Sequence, residues 1–410
     1  MPNIGLVQRC IGAHRRHICF VTETYPPEIN GVALTLARLL QGLAARGHIV
    51  SMIRPYQRDF DCIATDSSVT LVRGLPLPGY SGLQFGLPAG GVLKRLWTKQ
   101  PPDVVYVATE GPLGWSAVRT ARRLNIAALS GFHTNYHSYS RHYRLGCLQP
   151  LVFRYLRYLH NGTRGTIVLS LDLRDRLQAL GFKNLTFLSR GVDSSLFAPE
   201  RRCADLRERW GLSDRSLAVL YVGRIAPEKN LRVAVEAYYA MRQLDDSIKF
   251  ILVGDGPLRT SLQKKHPNLI FCGMQTGAVL ARHYASADIF LFPSETETFG
   301  NVTLEAMASG LAVVAYNYAA AKLHFSHGET GLLVPCGDSK AFIDSAAQLV
   351  REARWLYKLR TQAREYAAAL NWSHPIETFE TWLTAALTES HTSVGAASPA
   401  HPLAMARVGG

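Results

Sequence analysis

A chain of 410 residues is longer than one hydrophobic core usually grows, so its length implies two domains. With 47% apolar and 19% charged residues and no uninterrupted apolar run of about 18, the composition is that of a globular protein without a membrane-spanning helix. The formal charge of +14 is lopsided: residues 1–210 hold 27 Lys and Arg against 13 Asp and Glu, and residues 211–410 hold equal numbers. A one-sided basic surface suits an anionic substrate, an anionic membrane face or nucleic acid. The plain alternative is a surface kept soluble by its cations. Seven cysteines stand singly, without Cys-x-x-Cys pairing, which argues against a disulfide framework or a zinc site. The opening MPNIGLVQRCIGAHRRHICFVTE has no signal-like apolar core, so the expected location is cytoplasmic. The sequon Asn161-Gly162-Thr163 is then accidental.

In chain order, HICFVTE (17–23) reads as a strand, and GVALTLARLLQGLAARG (31–47) as a helix closed by Gly47. HIVSMIRP (48–55) and DVVYVATE (103–110) follow as strands, and GWSAVRTARRLN (114–125) as a helix. IAALSGFHT (126–134) reads as a strand entering a loop, and 165–182 as strand then helix. The alternation then restarts with strand 216–224, helix 230–243 and strand 249–256. NLIFCG, DIFLFPS, LAVVAYN and GLLVP continue it as further strands. This pattern predicts two doubly wound α/β domains with parallel sheets, over 1–195 and 196–370. A terminal helix is expected over 371–389, and the Ala-, Ser-, Pro- and Gly-rich residues 390–410 read as disordered. Such sheets bind ligands at the carboxyl ends of their strands, here in a cleft between the halves.

The residue types that carry chemistry sit in loops after predicted strands. In DIFLFPSETETFGNVTLEAMASG, Gly300 and Asn301 mark a helix start, where backbone N–H groups around Phe299–Asn301 can hold a phosphate. Glu297 and Glu305, eight residues apart, would repel that phosphate but can accept hydrogen bonds from hydroxyls. They suit a diphosphate with a polyol at each end, which describes a sugar nucleotide. The structural alternative is a solvated loop acid and a first-turn acid that complements the helix dipole. Glu295 lies outside that spacing and reads as a surface acid. In YVGRIAPEKNL, Arg224 and Lys229 leave a strand end five residues apart, a planar fork and a mobile point charge suited to one diphosphate. Gly31, in EINGVA, lets a ligand approach a helix start, and His133, in GFHTNYHSYSRHY, follows a strand. Each alone is weak evidence: a lone histidine is more often structural.

Together these pieces resemble glycosyltransferase family 4, retaining nucleotide-sugar-dependent transferases with the GT-B fold. ETFGNVTLE is similar to its E-x7-E motif, GRIAPEKN to its basic phosphate-binding segment, EINGVA to its glycine loop and GFHT to its sugar-proximal histidine. SRGVD and GETGLLVP are also family-like, and the resemblance runs in order over about residues 17–385. TYPPEINGVALTLARLL, PLPGY and EGPLGW look like the GDP-mannose-dependent α-mannosyltransferase and sulfoquinovosyltransferase members. The resemblance implies that Glu297 holds sugar hydroxyls, Glu305 the ribose hydroxyls, and Arg224 and Lys229 the diphosphate. Gly31 would approach the phosphate or acceptor, and His133 the transferred sugar. No metal or other cofactor is implied. One departure stands out: many relatives carry a Gly-Gly pair where this chain has YNYAAAKLHF.

The expected activity is therefore transfer of a hexose, mannose from GDP-mannose as the first choice, to a lipid or glycan hydroxyl. A UDP-sugar-dependent glycolipid synthase is the nearest alternative; a sugar-nucleotide epimerase or a basic nucleic-acid-binding protein comes from other classes. No RNP, helix-turn-helix or zinc pattern supports nucleic acid as a partner. Asp59-Phe60-Asp61 forms a DxD, a metal-binding signature of the other major glycosyltransferase fold, but three-residue matches are cheap. FRYLRYLHNGTR (153–164) spaces aromatic and basic residues as a helix would for an anionic membrane interface. A core helix with basic edges is its alternative.

Overall fold

The computed structural model describes residues 15–388 except 27, 29, 58–67, 77–83, 134–148, 214–215 and 298. Asp59 and Asp61, the histidine-rich loop after His133, and the 390–410 tail lie outside the described residues.

The first sheet contains β1 (His17–Val21), β2 (Ile49–Pro55), β3 (Val69–Val72), β6 (Val104–Val107), β7 (Ala127–Phe132), β8 (Thr166–Val168) and β9 (Leu185–Phe187). β4 (Gly74–Pro76) and β5 (Gln84–Gly86) pair as a separate antiparallel hairpin. The strands of the large sheet lie in the order β3-β2-β1-β6-β7-β8-β9, all parallel. The second sheet contains β10 (Ala218–Val222), β11 (Lys249–Val253), β12 (Ile270–Gly273), β13 (Ile289–Phe292), β14 (Ala312–Tyr316) and β15 (Leu332–Val334). Its order is β12-β11-β10-β13-β14-β15, again parallel throughout. Both sheets wind outward in two directions from a central strand, β1 in one and β10 in the other. Two Rossmann-like α/β units of this kind make the GT-B architecture.

Parallel sheets covered by helices on both faces need continuous apolar strands, and these are supplied. AVLYV, IFLF and AVVAY are buried along their whole lengths. β3, β9 and the hairpin escaped the sequence reading. β3 and β9 are partly exposed edge strands and the hairpin stands outside the large sheet, so none has the fully buried apolar run that marks equally short strands such as β6, β8 and β13.

The chain passes between the two units twice. Val192 N–H donates to the Leu370 carbonyl at 2.7 Å where the outgoing and returning segments meet. The Ser373–Thr388 helix then packs on the first unit rather than the second. Its Phe379 ring meets Tyr106 at 5.0 Å and Phe20 at 6.1 Å, and Glu380 bonds His48 at 2.8 Å. At the far end of the second sheet, Asp288 collects Arg202 (3.2 Å), Arg207 (3.2 Å) and Arg360 (3.0 Å) and also accepts from Ala218 N–H (2.9 Å).

Candidate active site

In doubly wound sheets the crevice opens where neighbouring strands connect in opposite directions. In the second sheet that point lies between β10 and β13. The loop after β10 carries Arg224 and Lys229; the loop after β13 carries Glu297, Phe299 and Gly300. Five of the residues singled out from sequence thus come from two loops on either side of one switch point. In the first sheet the matching point is between β1 and β6, and Gly31 follows β1.

The β10 loop is held by backbone contact. Ile225 N–H donates to the Asp255 carbonyl at 2.9 Å, and a side chain at Gly256 would strike the Ile225 backbone. A short 3-10 turn, Pro227–Lys229, follows, and Asn230 takes a left-handed conformation (φ 51°) to start the next helix. Lys229 Nζ forms an ion pair with Glu297 Oε1, which also accepts from Ser294 Oγ at 2.8 Å. Lys229 Nζ lies 5.9 Å from the centre of the Phe292 ring. Arg224 lies 3.6 Å from Glu228 and keeps about a third of its side chain exposed. Both cations therefore border the opening, each beside a carboxylate.

The Asn301–Ala308 helix begins at Gly300, whose φ of 91° suits glycine. No side chain caps this helix start, so its first N–H groups face the loop. The Gly31–Ala45 helix differs: Asn30 Oδ1 accepts from Val32 N–H (3.1 Å) and Ala33 N–H (2.9 Å), which leaves less of that start for an incoming anion.

Glu305 sits a turn into its helix and is not equivalent to Glu297. Tyr284 Oη donates to its Oε2 at 3.0 Å, and burial pushes its pKa up to about 7. Phe292, Ser294, Glu297, Gly300, Tyr318 and Ala320 line a small recess beside the helix start. Ala319, in the alanine run, holds φ at 51°, a backbone conformation that glycine adopts freely, and Ala320 N–H donates to the Phe299 carbonyl at 2.7 Å.

His133 immediately follows β7 and is 3% exposed. Its Nε2 bonds Tyr106 Oη at 2.9 Å, while Nδ1 has no hydrogen-bond partner. A side chain at Gly131 would collide with this pair, which explains the glycine in GFH. Burial lowers the imidazole pKa to about 3, and the Arg190 charge adds to the effect, so the ring is neutral near pH 7.

Two residues went unread in the sequence. Arg190, in SRGVD, extends from the first unit so that Nη1 meets Asn301 Oδ1 at 3.3 Å and the guanidinium lies 5.3 Å from the Phe299 ring centre. Its surroundings are assembled from distant parts of the chain, so no local pattern marks it. Glu23 accepts from Leu113 N–H at 3.2 Å at the start of the Pro112–Arg123 helix, and burial raises its pKa to about 7. A side chain at Gly111 would strike that carboxylate, which links the glycine of EGPLGW to the acid of TETYPP.

Residues 29–196 match the Glycosyltransferase Family 4 model, and residues 216–352 match the model for Glycosyl transferases group 1. The chain is 32% identical over 336 residues to a GDP-mannose-dependent alpha-mannosyltransferase of Corynebacterium glutamicum, covering 81% of this chain and 80% of that one. It is 28% identical to an alpha-monoglucosyldiacylglycerol synthase of Streptococcus pneumoniae, over 72% of this chain and 70% of that one. Sucrose-phosphate synthase from Thermosynechococcus elongatus shares the fold, with a TM-score of 0.74 over 90% of this chain and 99% of that one at 21% identity. The motif-bearing loops at the β10–β13 switch point, the matched models and the identity spread over four-fifths of the chain lead to one conclusion: this chain belongs to glycosyltransferase family 4, among the group 1 glycosyl transferases.

Proposed function

We propose that the chain moves a hexose from a nucleotide-sugar donor to a hydroxyl of a lipid or glycan, with retention and without a metal. GDP-mannose is the preferred donor, on the strength of a relative named for that substrate. The observation that carries the reading is the meeting of Arg224, Lys229, Glu297 and the uncapped Asn301–Ala308 helix start at one strand switch point.

In this reading the diphosphate lies on the helix start between Arg224 and Lys229. Glu297, held by Ser294 and Lys229, accepts from sugar hydroxyls, and Glu305 accepts from the ribose. His133, neutral and deep, positions the sugar rather than exchanging protons at neutral pH. Transfer breaks the bond from sugar C1 to the diphosphate oxygen and forms the bond from C1 to the acceptor oxygen on the same face. The acceptor proton passes to the departing diphosphate. The cations stabilise the charge that develops there, the role a metal fills elsewhere. Activity that vanishes with EDTA would contradict the metal-free mechanism.

A UDP-sugar-dependent glycolipid synthase is the second reading, favoured by the likeness to a monoglucosyldiacylglycerol synthase. A thermal-shift series with GDP-mannose, UDP-glucose, UDP-sulfoquinovose and the corresponding nucleoside diphosphates separates the two, because a ligand of the folded state raises apparent stability. The largest shift is expected with GDP-mannose. A larger shift with a UDP-sugar selects the second reading, and no shift with any of them rejects both.

The acceptor is proposed to come from a membrane surface. No helix among the described residues is long and apolar enough to cross one. The Gln149–His160 helix buries Leu156 and Leu159 and turns Leu151 (64% exposed), Arg154, Arg157 and Tyr158 (65% exposed) outward. Apolar and basic groups on one exposed face suit an anionic headgroup layer.

A further inference from the structure

Arg190 follows β9 by three residues and is 5% exposed. Its guanidinium stays charged at any physiological pH, so withdrawing it from water is costly unless a counter-ion or a full set of acceptors meets it. Among the described residues it forms no ion pair. Its Nε has no hydrogen-bond partner, and Nη1 reaches a single side-chain acceptor, Asn301 Oδ1 at 3.3 Å. The face of Phe299 gives partial compensation. Burial lowers the pKa of Arg190 to about 10, the sign of a cation short of negative charge.

Arg190 Nη1 lies 3.8 Å from where a side chain on Gly31 would begin, at the start of the Gly31–Ala45 helix. Asn301, its bonding partner, is the first residue of the uncapped Asn301–Ala308 helix. The guanidinium thus lies beside the uncapped Asn301–Ala308 start, with the Asn30-capped start of the Gly31–Ala45 helix alongside, and each contributes positive potential. The nearby acid Glu297 is taken up by Lys229 and Ser294. Such an arrangement repels itself until an anion enters.

Resting on the sugar-nucleotide reading above, we infer that Arg190 is a third cation of the diphosphate site, reaching from the first domain to the β-phosphate that Arg224 and Lys229 engage from the second. The β-phosphate is then gripped from both sides of the cleft, so the donor draws the two domains together. In the transfer step Arg190 adds to the charge stabilising the departing diphosphate. A purely structural role, a bridge to Asn301, is the competing account.

The two accounts differ in the unliganded protein and in which phosphate matters. Full-length Arg190→Gln and Arg190→Lys are compared with wild type by thermal unfolding without ligand and by titration with GDP, GMP, UDP and UMP. The inference expects R190Q to unfold no lower than wild type, since an uncompensated buried charge has gone. Its affinity for the diphosphate should fall about 10- to 100-fold, the loss of charge-assisted hydrogen bonds, while affinity for the matching monophosphate holds. R190K, which keeps the charge without the fork, should fall between. A lowered unfolding temperature with an unchanged preference for diphosphate over monophosphate overturns the inference and leaves a bridge. If R190Q does not fold, the same nucleotide comparison on R190K decides. A wild-type chain that binds none of the four nucleotides overturns the donor reading as well; diphosphate binding retained in full by the variants overturns the role of Arg190 alone.

Discussion

Glu297 and Glu305 carry the same carboxylate eight residues apart, but their surroundings differ. Glu297 lies beside Lys229 and Ser294, whereas Glu305 is held by Tyr284 with its pKa raised from 4.5 to about 7. A raised folded-state pKa in an acid means that the unfolded chain releases the proton first. Stability from this group is therefore full below about pH 4.5 and falls as pH rises towards 7. Glu305→Gln removes the loss while keeping an acceptor for Tyr284, so its melting temperature should gain on wild type between pH 5 and pH 7.5. Calorimetry at the two pH values checks this, and parallel values would contradict it. Lys229→Ala, by removing one preorganised charge from the departing diphosphate, should cut turnover by roughly 10²- to 10³-fold at saturating donor. At this scale Arg224, Lys229 and the glutamate pair were legible because each lies in a short stretch with fixed spacing. Arg190 was not, since its partner Asn301 is 111 residues away and only folding reveals its burial.

Elements decide where those residues sit. The alternation of apolar strands with helical spacing was enough to find the parallel strands flanking the cleft, and strand order then follows from packing rather than from any local signal. The direction of the last helix was not legible: an amphipathic segment over 373–388 says that one face is buried, not on which domain. Asp288 shows the same limit. In DIFLFPS it reads as the polar edge of a strand, yet three arginines from the linker and the Ala353–Ala369 helix converge on it. Arg207, 2% exposed, would be left buried without its anion in Asp288→Ala. The variant should lose about 3–5 kcal/mol in denaturant unfolding, the usual cost of breaking a buried pair on one side. A loss below about 1 kcal/mol, the scale of an exposed pair, would show that the cluster is solvated in solution. The alanines at 319–321 make the opposite point. The sequence marked them as a departure from the glycine pair of many relatives, and the backbone still bends as glycine would, with Ala319 at φ 51°.

The whole molecule adds an asymmetry that neither residue nor element contains. The excess charge lies in residues 1–210, the half that carries the exposed face of the Gln149–His160 helix. If that half meets the acceptor at a membrane, the chain should bind vesicles containing anionic lipid and release them as salt rises, because surface attraction is screened over about 10 Å at 0.1 M. Sedimentation with vesicles of graded anionic content measures it; binding indifferent to lipid charge and to salt would count against a membrane-borne acceptor. Family and fold do not depend on that outcome, but the central claim about the cleft does depend on one other. Titration calorimetry of GDP-mannose into the wild-type and Lys229→Ala chains tests it most directly. The account predicts saturable one-site binding to wild type that is weakened at least tenfold in the variant, the scale of one charged contact. Equal binding to both chains, or none to wild type, would contradict it.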